Sequence, residues 1–167
     1  MTGAAEGTIF YHFKTKEELF LAILEEFRMN IVAEFEGLLG KRDFYSGIEM
    51  MEETVRFYLN LASVMEDRFL LLHRHDAYEL ARINAVAQEV LESIYNCFVD
   101  IFEKAIVLGQ ADGSIAPMLA RKTAMILFLM VDGLARFNTY KLYDAGALYD
   151  DLLSCIHRIL VNLQPSG

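Results

Sequence analysis

The chain has 167 residues, is 54 % hydrophobic, carries a net charge of −9 and contains two prolines and two cysteines. That length suits one domain or a small head on a larger body, and scarce proline with long apolar periodicity points to an all-helical chain. The acidic balance excludes a body that itself wraps nucleic acid, and no uncharged apolar run reaches the ~18 residues of a membrane span.

In chain order, Thr15 is a good N-cap and Glu18 completes a capping box, so a helix should begin at Lys16. Leu19, Ile23, Phe27 and Ile31 recur at helical spacing, with Phe20, Leu24 and Phe35 alongside, and carry it to about Leu39. Gly37, Gly40 and Lys41-Arg42-Asp43 mark its end. A second helix fits Tyr45 to Val64, with Ile48, Met51, Val55, Tyr58, Leu59 and Ala62 inward. An apolar burst, Phe69–Leu72, precedes His73-Arg74-His75-Asp76.

The longest periodic segment, Ala77 to Leu108, is expected as one helix. One stripe runs from Ile83 through Ala87, Val90, Ile94, Cys97, Ile101 and Ala105 to Leu108, and Leu91, Tyr95, Phe98 and Phe102 form a second. So wide an apolar arc is buried on more than one side. Gly109 and Asp112-Gly113 end it, and Pro117 is placed to open the next helix, which runs to about Tyr140. A last helix spans about Gly146 to Leu163. The N-terminus lacks the order of a secretory signal, and both cysteines, Cys97 and Cys155, fall at apolar helical positions. Reduced, buried thiols in a cytoplasmic protein are therefore expected.

The most specific stretch is Gly7-Thr8-Ile9-Phe10-Tyr11-His12-Phe13-Lys14-Thr15-Lys16-Glu17-Glu18-Leu19. Hydroxyl and imidazole donors sit beside two lysines just before a helix start, the equipment for gripping a phosphate backbone. The stretch resembles the recognition helix and following helix start of the TetR family of transcriptional regulators. That signature runs roughly Gly-Thr-aliphatic-Tyr-x-His-Phe-x-Ser/Asn-Lys-Glu-x-Leu, and Phe10 here replaces the usual tyrosine. The resemblance implies DNA contacts from Thr8, Tyr11, His12, Lys14 and Lys16. It also implies a linker helix, a ligand-binding core and two C-terminal helices that pair with those of a second subunit. Residues 1–19 would then be a remnant of a helix-turn-helix head, and residues 20–167 a ligand-binding and dimerisation domain. In the family two helices precede the recognition helix. The resemblance therefore implies an N-terminally truncated regulator, which is not expected to hold an operator unless those helices are present.

Beyond that motif, Tyr58, His73, Phe98, Phe128 and Asp132 are candidate ligand-binding residues. The surplus of aromatic and Met side chains makes an apolar cavity, a large subunit interface, or both, the natural reading. Tyr58, Phe98 and Phe128 are the expected cavity walls, with His73 near its entrance. Asp132 and Arg136 are four apart in an apolar helix, placed to form an internal ion pair, an interface contact or a hold on a polar ligand group. His73 and Asp76 share a helical face but lack further ligands, so no metal site is expected. No phosphate loop, nucleophile elbow or zinc-hydrolase spacing occurs, so neither an enzyme nor a cofactor is expected. The expected function is a ligand-responsive transcriptional regulator, with repression as its sense. Its partners would be a second copy through the last two helices, operator DNA, and a small apolar effector, with no membrane. The alternative is a ligand-binding and dimerisation module without DNA binding.

Overall fold

The computed structural model describes residues 13–144 and 146–161. Among them the chain forms α1 (Lys16–Lys41), α2 (Gly47–Val64), α3 (Glu66–Leu72), α4 (His75–Ile83), α5 (Ala85–Asp112) and α6 (Ala120–Thr139). A 3₁₀ turn (Gly146–Leu148) and α7 (Tyr149–Val161) follow, and there is no strand among the described residues. The fold is all-α, as the periodicity predicts. No helix among the described residues is long and apolar enough to cross a membrane.

Two helices start on the same device. Thr15 Oγ1 accepts from the Glu18 N–H at 3.1 Å, and the Glu18 carboxylate accepts from the Lys14 N–H at 2.7 Å. Ser46 Oγ likewise accepts from the Glu49 N–H at 3.2 Å while Glu49 accepts from the Tyr45 N–H at 2.8 Å. Each is a capping box whose carboxylate reaches one residue further back than usual. α1 runs unbroken across residues 19 and 20, where the head and body were expected to join.

The segment expected as one helix from Ala77 to Leu108 is two. Asn84 takes an extended conformation, and its side chain accepts from the N–H groups of Val86 at 2.9 Å and Ala87 at 3.2 Å. A short polar side chain here competes with the helix for its own backbone donors. The break turns Ile83 outward, 85 % exposed rather than inward. Pro117 does not open α6, which begins at Ala120. The preceding loop is tied down by bonds from Ile115 N–H to the Gly109 carbonyl and from Ala116 N–H to the Leu160 carbonyl, both 2.9 Å. Cys97 is half-buried and Cys155 exposed, so only the first approaches the expected burial; both are free thiols.

α5 is the central element, packed against α1, α2, α4 and α6. Near its C-terminal end the backbones of α5 and α2 touch. A Cβ on Gly47 would lie 2.0 Å from the Gly109 nitrogen, so neither flexible side chain nor solvent could make room. The approach lets Asp112, at the end of α5, accept from the Gly47 N–H at 2.7 Å and cap the neighbouring helix. Gly47→Ala should therefore cost about 3 kcal/mol, at the upper end of overpacking penalties, measured by urea denaturation. Gly37→Ala, which meets nothing within 4 Å, is the control and should not destabilise the fold.

Candidate functional site

The centre of the body is filled by rings. Tyr58 meets Phe98 at 4.8 Å and Phe128 at 5.6 Å between centroids, and Phe98 stacks on Phe128 at 5.7 Å. Phe69 and Phe27 continue the cluster on the side of α1. The three rings expected to wall a cavity thus close on one another. Of the three, Phe128 also borders a groove.

Into this apolar cluster α6 projects Asp132, which is 4 % exposed. A buried carboxylate is costly unless its oxygens are bonded, and here they are. Its Oδ1 accepts from the Tyr58 hydroxyl of α2 at 2.6 Å and lies 2.9 Å from His73 Nε2, at the elbow between α3 and α4. Its Oδ2 accepts from Arg136 Nη2 at 3.2 Å, one helical turn along α6. Burial pushes the Asp132 carboxyl up, but the bonds from His73 and Tyr58 and the charge of Arg136 outweigh it and leave it below its ordinary value. An ionised carboxylate only accepts, so His73 Nε2 carries the proton. His73 Nδ1 is buried without a partner. Burial, then the neighbouring Asp132, raises the Tyr58 hydroxyl well above the ordinary phenol value.

The network continues outward. Arg136 Nη2 points toward the Tyr78 hydroxyl at a long 3.5 Å, and the Tyr78 and Tyr95 hydroxyls bond each other. Here it opens on a groove of about 400 Å³, whose apolar wall includes Val99, Met125, Phe128 and Leu129. Tyr78 and Tyr95 were not among the candidate residues; nothing in their sequence neighbourhood marks them as polar neighbours of Arg136. His73, expected near a pocket entrance, is fully enclosed at its side chain. Of the two expectations for Asp132 and Arg136 that concern one chain, the internal pair is observed. No group of three or more His, Cys, Asp or Glu among the described residues could hold a metal.

Of the candidate DNA-binding residues, Lys14 and Lys16 are exposed at the start of α1, whereas Thr8, Tyr11 and His12 lie outside the described residues. Lys16, Glu17 and Phe20 share a second groove, about 370 Å³, with Leu71, Arg74 and Leu80 from the α3–α4 elbow. The start of α1 therefore sits against the segment that carries His73.

No protein-family model matches the sequence, and neither does any curated protein. Among solved structures, the chain is similar to a bacterial regulatory protein of the TetR family from Rhodococcus RHA1. The TM-score is 0.71 at 19 % identity, covering 96 % of this chain and 80 % of that one. The fold is that of a TetR-family regulator. The all-α, TetR-like fold expected above is thus matched by a likeness that covers 96 % of the chain, including helices that carry no family signature of their own.

Asp132→Ala should cost about 3–5 kcal/mol, because it strands the buried donors of Tyr58 and His73 and unpairs Arg136. Since the folded carboxyl lies below its ordinary 3.8, Asp132 adds stability above that pH which is lost as pH falls through the folded value. Urea midpoints measured from pH 7 downward should fall more steeply in the parent than in the variant, which keeps only the smaller loss from other lowered carboxylates such as Glu49 and Asp112.

Proposed function

We propose that the chain is the effector-binding and dimerisation body of a one-component transcriptional repressor of the TetR family, together with its DNA-reading segment. The likeness in fold to a TetR-family regulatory protein over 96 % of the chain carries this reading, and the Gly7–Leu19 motif supports it. Thr8, Tyr11 and His12 would contact the operator, with Lys14 and Lys16 neutralising phosphate at the start of α1. The acidic body, net −9 over the whole chain, would stay off the duplex.

The active form would be a homodimer through α6 and α7. Ile126 and Phe137 lie on one side of α6, three turns apart, and remain 55 % and 45 % exposed in the single chain. Leu148 and Cys155 extend an apolar edge along the 3₁₀ turn and α7. Two such pairs of helices can bury the roughly 1,200–2,000 Å² of a stable interface. A small effector held in the body would favour one conformation and change the separation of the two DNA-reading segments. Half-sites lie about one helical turn apart or a multiple of it, so a modest change breaks simultaneous contact. The shared groove of Lys16, Phe20, Leu71 and Arg74 supports a route for that change from the elbow to α1.

The test uses protein tagged at the C-terminus in its own chromosomal gene and purified from its own cells. Selection from a random duplex library should recover a short palindrome. Thr8→Ala and Tyr11→Ala should weaken binding to it, and Lys16→Ala should flatten the salt dependence by about one unit of slope. Recovery of no preferred sequence would overturn the regulator reading and favour a ligand-binding module. Light scattering should give a dimer for the parent, and Ile126→Glu should release monomer.

A further inference from the structure

The groove beside Asp132 presents an apolar wall and a polar end of one kind. Val99, Met125, Phe128 and Leu129 supply the wall; Met125 and Leu129 are 46 % and 59 % exposed. At the polar end Asp132 has both oxygens occupied, Oδ1 by Tyr58 and His73 and Oδ2 by Arg136. The carboxylate therefore has little left to offer a ligand donor. The guanidinium is the opposite case. Its bonds run through Nη2, to Asp132 and at longer range to Tyr78, and Nε is buried without a partner. A guanidinium has five N–H donors in a fixed fork; Nε is too enclosed to meet a ligand, and the Nη1 donors are the unused ones.

We propose that this groove binds a small molecule carrying a carboxylate on an apolar body, and that Arg136 receives the carboxylate. The inference rests on the effector reading above and names the chemistry of the effector. Asp132 holds Arg136 in place from below, so the cation is oriented before the ligand arrives, which lowers the ordering cost of binding. The Tyr78 and Tyr95 hydroxyls stand beside it as further hydrogen-bonding groups. A ligand ammonium would meet the Arg136 charge and find the Asp132 oxygens occupied. A neutral amide would gain the apolar wall but not the charge-assisted bonds, which are roughly twice as strong as neutral ones. The volume of about 400 Å³ falls within the ordinary range of small-molecule sites.

Isothermal titration calorimetry of the purified dimer with cinnamate and decanoate, each against its amide, tests the assignment. Both carboxylates should bind, and each should bind about tenfold or more tighter than its amide, a difference of about 1.4 kcal/mol. Arg136→Gln should abolish that preference. Arg136→Lys should keep it in weakened form, because an ammonium is a point charge without the fork. The comparison of acid with amide on the parent protein stands even where a variant fails to fold. Equal binding of acid and amide, no binding of either acid at millimolar concentration, or a preference that survives Arg136→Gln would each overturn the proposal. Tighter binding of an amide or of cinnamylamine, lost on Leu129→Trp, would overturn the carboxylate assignment while leaving the groove as an effector site. The library selection addresses the regulator reading separately.

Discussion

Everything at the centre of this body is arranged around one buried charge. An ionised carboxylate in an apolar interior is tolerated only when each oxygen is bonded, and the bonds must come from groups fixed in position. Asp132 takes them from α2 through Tyr58, from the α3–α4 elbow through His73, and from its own helix through Arg136. The requirement sets where α6 stands relative to α2 and holds the elbow at a defined depth. The aromatic cluster of Tyr58, Phe69, Phe98 and Phe128 then fills the space around the polar group with edge and stacked contacts. Removing one partner of such a group is far more damaging than never having buried it, so the network is an all-or-none feature of the fold.

The same network faces outward. Arg136 belongs both to the buried cluster and to the groove, and His73 belongs both to the cluster and to the elbow that lies against the start of α1. Groove and elbow are joined through a single carboxylate, which gives the proposed effector a short physical connection to the proposed DNA-reading segment. At the opposite end, the backbone contact of Gly47 with Gly109 and the bond from Gly47 to Asp112 pin α2 to α5 independently. The body is thus clamped rigidly at one end and tied by polar groups at its centre.

Much of this was legible in the sequence, and the failures have physical causes. The start of α1 follows from Thr15 and Glu18. The start of α2 lies two residues past the expected Tyr45, at Gly47, where Ser46 and Glu49 form the same pattern. The break at Asn84 leaves helical spacing intact on both sides, so periodicity could not reveal it; the signal was one capping side chain. Pro117 obeyed its local preference only until hydrogen bonds to α5 and α7 fixed the loop. The pairing of Asp132 with Arg136 was readable from their spacing. The partnership of Asp132 with His73 joins residues 59 apart in the chain, and no local pattern encodes it. Tyr58, Phe98 and Phe128 do lie together, but as rings packed on each other, and the sequence could not distinguish that from rings around a void.

The account stands or falls on Asp132 as the tie between groove, elbow and core. Hydrogen–deuterium exchange of Asp132→Asn, which keeps the side chain's size and one carbonyl oxygen, tests that tie under native conditions. Exchange should accelerate across residues 66–78 and around Tyr58, while amides near Gly47 and Gly109 keep their protection. Faster exchange confined to α6, or spread evenly over all helices, would contradict it.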